Sequence, residues 1–189
     1  WDFGSSWRHE NRDGNKSFGA VIGNNGGNPR AVLIPEPIDY SSDDFDAVMS
    51  FRDQKKQFSL AYHASLFDNN QGSFGWENPY NSINGWTPVV VGFPNGEGQA
   101  SGPPENQFHQ VSAAGGWNFS GTMRLDGDLA YGRMTQDDDY LPYTINPALA
   151  ATITQPLPRG SLDARIDTTL GNLRLSGRPT ERLRWNAGL

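Results

Sequence analysis

Alternation of polar and apolar residues is the feature that most constrains this chain, and it is clearest in residues 123–131. The odd positions there carry the apolar side chains of Met123, Leu125, Leu129 and Tyr131. The even positions carry the charged side chains of Arg124, Asp126 and Asp128. A period of two is that of a β-strand with one polar and one apolar face. The apolar face of such a strand meets a core in a soluble sheet and lipid in a transmembrane barrel, and the pattern alone fits both.

The same alternation recurs along the chain and predicts eight strands. They are expected at residues 1–12, 16–23, 43–53, 57–68, 106–117, 122–136, 161–178 and 182–189. The dipeptide Asp13-Gly14 predicts a tight turn between the first two strands, because glycine accepts a positive φ. In the seventh strand the apolar positions change parity beside Gly171, which predicts a β-bulge there.

The connections between these strands alternate between short and long. Three long segments, 24–42, 69–105 and 137–160, hold 12 of the 13 prolines, and short polar turns separate the other strands. Short turns therefore collect at one edge of the sheet and long loops at the other. Outer-membrane barrels are built in this way. A soluble Greek-key sandwich has no reason to sort its connections by length.

Composition narrows the function. The chain has no cysteine, so within these residues there is no thiol catalysis, disulfide, thiolate metal site or C-x-x-C-H haem attachment. A net charge of −6 argues against a nucleic-acid partner. No window of about 18 apolar residues occurs, so no transmembrane helix is expected. The three histidines lack a metal-binding spacing, and the acidic run 137–139 fits a solvated loop better than a Ca²⁺ site.

The polar parity of the sixth and seventh strands predicts a charged wall. The side chains expected to face a lumen are Arg124, Asp126, Asp128, Asp163, Arg165, Asp167 and Arg174. Since one long loop joins the two strands, their charged rows are expected to lie side by side. Two interpretations stay open: a hydrated pore wall of mutually paired charges, or a lining that holds a protein plug through charge-assisted hydrogen bonds.

Aromatic residues mark the apolar parity. Those near strand ends or on that parity are Phe58, Tyr62, Trp117, Tyr131 and Trp185. Tyrosine and tryptophan are enriched where a membrane meets water, because their rings combine an apolar body with a polar tip. These positions therefore predict an interfacial girdle, although packing residues of a soluble core would follow the same pattern.

Several short segments, in their order along the chain, carry a resemblance to a known family. They are Pro37-Ile38-Asp39-Tyr40-Ser41, Tyr62-His63-Ala64-Ser65-Leu66-Phe67-Asp68-Asn69, Trp76-Glu77-Asn78-Pro79-Tyr80, Asn106-Gln107-Phe108-His109-Gln110, G-R-M-T-Q-D-x-x-Y-L-P-Y-T at 132–144, and Asp167-Thr168-Thr169-Leu170-Gly171-Asn172-Leu173. Through them, most of 37–189 resembles the MtrB/PioB family, outer-membrane β-barrels associated with decahaem cytochromes. The residues that match its motifs include Asp39, Tyr40, Ser65, Phe67, Asn69, Gln136, Leu141, Pro142 and Tyr143.

The resemblance implies an all-β fold, an antiparallel up-and-down transmembrane β-barrel. Residues 1–189 would form about eight strands of a single barrel domain. This segment would be truncated at both ends, since the chain starts and stops within its pattern. The implied location is the bacterial outer membrane, and the lipid bilayer is an implied partner.

The resemblance also implies a function without catalysis. The barrel would sheathe a periplasmic decahaem c-type cytochrome, support electron transfer across the membrane, and let an extracellular multihaem cytochrome dock. The chain would bind no cofactor itself, because the haem belongs to the partner. The alternatives are a small structural or porin-like outer-membrane barrel, and a secreted carbohydrate-binding β-sandwich that exposes Trp76 and Trp86.

The sorting of connections predicts where a protease can reach the protein. Protease added to intact cells should cut within 69–105 or 137–160, since exposed loop tips are the usual nicking sites. The short turns at 54–56 and 179–181 should resist until the periplasm is opened. Cleavage at those turns in intact cells, read by mass spectrometry of the fragments, would contradict this topology.

Overall fold

The computed structural model describes residues 1–25, 28–77, 97–145 and 147–189. Its strands are β1 (Asp2–Asn25), β2 (Asn28–Arg52), β3 (Lys56–Asn69), β4 (Ser73–Glu77), β5 (Glu97–Ser101), β6 (Asn106–Ser120), β7 (Met123–Gln136), β8 (Ala164–Thr180) and β9 (Leu183–Gly188). A four-residue helix, α1 (Pro147–Ala150), lies in the connection between β7 and β8. Within these ranges no helix has the length and apolarity that crossing a membrane requires.

Seven strands form one antiparallel sheet in the order β1-β2-β3-β6-β7-β8-β9. Each strand of this sheet pairs with the next one along the chain, apart from β4 and β5, which form a separate hairpin in the connection between β3 and β6. The predicted all-β, antiparallel, up-and-down sheet is confirmed. In this segment the sheet does not close into a barrel.

Three short turns lie together at one edge of the sheet. They cover residues 53–55, 121–122 and 181–182, within a few residues of the predicted positions. The first turn is fixed by Asp53, whose carboxylate accepts the backbone N–H of Lys55 at 2.7 Å and of Lys56 at 2.6 Å. These two hydrogen bonds lower the pKa of the Asp53 carboxyl. The connections 70–105 and 137–163 lie at the opposite edge, called here the long-loop edge.

The tight turn predicted at Asp13-Gly14 is wrong. Strand β1 continues through both residues, which pair with Asp39 and Ile38 of β2. Gly14 does have a positive φ of 140°, a conformation that glycine adopts without steric cost. Here that freedom serves an extended, paired strand rather than a chain reversal. Two predicted strands are therefore one, and the main sheet has seven strands instead of eight.

The long loop predicted at 24–42 is also wrong. Residues 28–42 are the first part of β2, so β1 and β2 form a hairpin that projects beyond the rest of the sheet. The prolines at 35 and 37 misled the prediction. In the described residues β3 ends opposite Tyr40, so this part of β2 has a strand on one side only. An edge strand tolerates proline, because the missing N–H would have had no ladder partner.

The register sorts the side chains onto two faces. The apolar face consists of the odd-numbered residues of β1, β2, β6, β7, β8 and β9 and the even-numbered residues of β3; the remaining positions form the polar face. The aromatic residues expected in a girdle all lie on the apolar face: Phe58, Tyr62, Trp117, Tyr131 and Trp185.

Buried apolar side chains are nearly absent. Among the described residues only Ala20 and Ala64 are buried hydrophobic residues, whereas Phe3 is 75% and Leu129 58% exposed. Exposing such a face to water would forgo about 25 cal/mol for every Å² of apolar surface, and a lipid environment removes that penalty. A sandwich needs a core between two layers. The secreted β-sandwich considered as an alternative is therefore wrong.

The apolar face has the height of a membrane band. On β7 it runs from Met123 to Tyr131, positions eight residues apart. A rise of about 3.3 Å per residue and a tilt of about 40° convert this span to roughly 20 Å. Barrels present a lipid-facing apolar band of about 25 Å. The strand geometry thus fits the thickness that the lipid requires.

Neighbouring residues of β3 provide a direct test of the two faces. Leu60→Arg places a charge on the apolar face and should destabilise the protein folded in lipid vesicles by about 2–4 kcal/mol. Ser59→Arg, on the polar face, is the matched control and should be mild. Equal losses for the two variants in a membrane refolding titration would contradict the assignment of the faces.

Candidate functional site

The polar face is lined by small side chains through the middle of the sheet. The glycine, alanine and serine residues at these positions include Gly4, Ser50, Ser59, Ala61, Ser112, Ala114, Ala130 and Gly132. Such side chains extend only a short distance from the backbone. This wall therefore leaves space in front of the sheet instead of filling it.

Charged side chains surround a hollow in this wall near the short turns. The hollow has a volume of about 850 Å³, and its charged lining residues are Asp2, Arg52, Asp126, Asp128 and Arg174. Three of these five residues, Asp126, Asp128 and Arg174, belong to the charged wall expected from the sequence. Opposite charges are interspersed here, so the hollow offers contacts to both cationic and anionic groups of a binding partner.

Some of these charges are satisfied within the wall. Arg124 donates its Nε to Asp126 at 2.7 Å, and Asn172 donates to Asp128 at 2.8 Å. Part-exposed pairs of this kind contribute only about 0–1 kcal/mol each. In the described residues neither Arg52 nor Arg174 has a carboxylate oxygen within 4.0 Å. These two guanidinium groups remain available to a partner.

The expected side-by-side charged rows are only partly present. Arg174 pairs in register with Asp126, but Arg165 and Asp167 pair with Thr135 and Arg133 and thus lie on the apolar face. Asp163 precedes β8 and has a φ of 44°. The cause is the register, which runs without a shift along the β7–β8 pair. The bulge predicted beside Gly171 is therefore wrong, and β8 keeps one parity throughout.

Further ion pairs on the polar face were missed by the sequence analysis. Arg8 contacts Asp44 at 2.6 Å, and His63 contacts Asp46 at 2.8 Å. The even spacing of the two aspartates was visible in the sequence. The partner of Asp44 was not, because the misplaced turn at 13–14 hid the register between β1 and β2.

An ion pair between a buried carboxylate and a half-exposed lysine lies farther out, in the projecting hairpin. Lys16 Nζ approaches Glu36 at 2.9 Å, and the Glu36 side chain is 8% exposed. This hydrogen bond raises the pKa of Lys16. A carboxylate buried to this degree requires a cation beside it, so Lys16 fixes the polar side of the hairpin.

The residues that match the family motifs collect at the long-loop edge. Tyr40, Ser65, Phe67, Asn69 and Gln136 lie on the polar face, near the ends of β3 and β7. The rings of Tyr40 and Phe67 pack edge to face with centroids 5.3 Å apart. Asp39 lies on the opposite parity, and its backbone oxygen accepts the N–H of residue 70 at 3.0 Å. These motif residues organise the mouth of the polar face rather than its charged wall.

Asn69 joins the two ends of the 70–105 connection. Asn69 is 4% exposed. Its Nδ2 donates to the backbone oxygen of Pro103 at 2.8 Å, and its Oδ1 accepts the N–H of Gln71 at 2.9 Å. A buried amide with satisfied donor and acceptor groups holds a fixed geometry. Asn69 therefore fixes where this long connection leaves the sheet and where it returns.

The two long connections meet the projecting hairpin above the polar face. Phe74 of β4 packs against Phe18 of β1 with ring centroids 4.9 Å apart, and Trp76 Nε1 donates to the Val21 oxygen at 3.2 Å. A cavity of about 430 Å³ between these elements is also lined by the remaining motif residues, Leu141, Pro142 and Tyr143. These contacts give the mouth of the polar face a defined structure.

The acidic run that follows β7 has a structural role. Asp137 accepts the Ser161 hydroxyl at 2.7 Å, and Asp138 accepts the backbone N–H of Glu105 at 3.0 Å. Across the described ranges, no three histidine, aspartate or glutamate residues are grouped as a metal site. Through Asp138, the acidic run joins the 137–163 connection to the 70–105 connection.

Comparisons with known proteins agree with this architecture. A family model described as "Putative outer membrane beta-barrel porin, MtrB/PioB" matches residues 1–189. The chain is 25% identical over 184 residues to the outer membrane protein MtrB of Shewanella baltica (strain OS185). The match covers 97% of this chain and 23% of that relative. The chain thus spans about a quarter of the relative's length.

The role of Asn69 can be tested against its neighbour. Asn69→Ala leaves buried backbone groups unpaired, which costs about 1–3 kcal/mol locally, and should speed protease cleavage within 70–105 in intact cells. Asn70→Ala, at an exposed position with a 3.3 Å contact to Asp39, should cleave at the wild-type rate. Identical cleavage kinetics for the two variants would remove Asn69 from this role.

Proposed function

The chain belongs to the MtrB/PioB family of outer-membrane β-barrel proteins, and we propose that its sheet is part of a sheath around a periplasmic multihaem c-type cytochrome. Its location is the bacterial outer membrane. A porin-like barrel is not an enzyme type, and in this proposal the chain does no chemistry of its own. It holds the cytochrome in place, so that electrons cross the membrane through the haems of the partner.

The polar face carries this proposal. Small closed barrels of about eight strands fill their interior with side chains. The run of glycine, alanine and serine on this face cannot fill an interior, so the barrel encloses space. A wide water-filled interior would conduct ions, and a protein plug would seal it. This observation favours a partner over a small structural barrel with a packed interior.

The charges of the polar face suit a protein partner of large area. The hollow offers Arg52 and Arg174 without carboxylate partners, next to the carboxylates of Asp126 and Asp128. Each exposed contact contributes only about 0–1 kcal/mol. Binding therefore requires many modest contacts spread along the wall, as a plug that fills the barrel would make.

The haem belongs to the partner in this proposal. The chain has no cysteine, and covalent attachment of c-type haem uses the C-x-x-C-H motif. The wall's role is to position the partner and to exclude lipid and bulk solution from it. At the long-loop edge the projecting β1–β2 hairpin and the β4–β5 hairpin give an extracellular multihaem cytochrome a surface on which to dock.

Charge reversal on the polar face tests the proposal. In the full-length protein, Arg52→Glu combined with Arg174→Glu should reduce co-purified haem severalfold, because two cations that have no partner in the wall become anions. The barrel should still show heat-modifiable gel mobility, since neither residue has an ion pair within the wall. Arg165→Glu, on the apolar face of β8, is the matched control and should retain haem.

Two results would decide against the sheath. If wild-type barrel folds and no haem protein accompanies it, the porin-like alternative, a plain hydrated pore, is correct. If Arg165→Glu releases haem while the double variant retains it, the binding face has been assigned to the wrong side of the sheet. Absorbance of the haem Soret band in the purified barrel fraction measures both.

A further inference from the structure

A cluster of polar residues interrupts the apolar face at its long-loop edge. Asp167 accepts Tyr131 Oη at 2.6 Å and Arg133 Nε at 2.7 Å, and Arg165 Nε approaches the other carboxylate oxygen at 2.9 Å. Arg133 also donates to the Tyr131 hydroxyl at 2.8 Å. Two guanidinium groups thus share one carboxylate, which leaves one positive charge uncompensated within the cluster.

A histidine of the neighbouring strand extends this polar cluster. His109 of β6 lies directly opposite Arg133 in register, and its Nδ1 is 2.8 Å from Tyr62 Oη. Arg133 and Arg165 have side chains 46% and 61% exposed. The Arg165 guanidinium group is therefore accessible from outside the cluster while its Nε contacts Asp167.

The depth of this cluster in the membrane follows from the free-energy cost of a charged side chain in lipid. On a lipid-facing position, arginine costs about 2–4 kcal/mol at the membrane midplane and about 0–1 kcal/mol near the interfaces. The cluster begins where the apolar band ends, at Tyr131. It therefore lies at the interface on the side of the long loops, which face outward in outer-membrane barrels.

The surplus of positive charge is local to β7 and β8. At the same level of β1 and β2, Asp43 accepts Trp7 Nε1 at 2.9 Å and lies 2.9 Å from His9 Nδ1. That group has one carboxylate and no arginine. The comparison shows that an interfacial polar group does not by itself require two guanidinium groups.

We propose that Arg133 and Arg165 bind the phosphate of a phosphorylated glycolipid in the outer leaflet. A guanidinium group presents two parallel N–H donors, a geometry that matches phosphate oxygens. Asp167 and Tyr131 hold the two side chains at the lipid interface, and the remaining donors of the two exposed guanidinium groups contact the phosphate. Charge complementarity at the level where headgroups lie selects this occupant.

Lipid retention measures the proposal directly. Full-length protein is reconstituted in vesicles that contain phosphorylated lipid A, extracted into detergent and analysed by native mass spectrometry. Arg133→Gln combined with Arg165→Gln should lower the bound lipid A about tenfold. Arg178→Gln, on β8 at the short-turn edge, is the matched control and should retain it fully.

The lipid itself provides a second comparison. Wild-type protein should retain dephosphorylated lipid A poorly, because the guanidinium groups then have no phosphate to bind. Equal retention of the two lipids by the wild-type protein, or an unchanged level in the double variant, overturns the proposal. If the double variant fails to fold, the comparison of the two lipids on the wild-type protein decides alone.

Discussion

Pairing of peptide groups is the constraint on which the whole structure depends. The hydrocarbon layer offers no water to an unpaired N–H or C=O, and each such group costs several kcal/mol there. Strands β2, β3, β6, β7 and β8 each have a neighbour on both sides. Once that ladder is fixed, side-chain parity is fixed too, and every residue of a spanning strand faces either lipid or the interior. The apolar band with its aromatic residues and the polar wall both follow from the ladder.

The two faces of the sheet place different requirements on their side chains. Side chains of the lipid-facing band need only be apolar, because they pack against a fluid and not against a fixed partner. Side chains of the polar wall are released from the requirement to fill space, so glycine, alanine and serine are tolerated there. The long connections and the projecting hairpin are likewise free of the bilayer. Buried polar groups order them, Asn69 at the 70–105 connection and Glu36 in the hairpin.

The sequence predicted those features that are local and missed those that depend on pairing. Alternation within 123–136 and the short turns follow from neighbouring residues, and they were placed correctly. Gly14 was misread because a positive φ serves both a reversal and an extended strand. The prolines at 35 and 37 were misread because their tolerance depends on β3 ending opposite Tyr40. Arg165 was assigned to the wrong face because parity has meaning only relative to the register of the adjacent strand.

The near absence of a core has a consequence for how the chain reaches its native state. A sheet whose largest apolar side chains are exposed has no stable form in the aqueous compartment that it must cross. Folding and insertion are therefore a single event, and the bilayer supplies the driving force that a core supplies elsewhere. Before that event the alternation protects the chain, since each apolar residue of a strand is flanked by polar ones and the mean hydropathy is −0.64. The pattern that defines the folded sheet also keeps the unfolded polypeptide dispersed before it reaches the membrane.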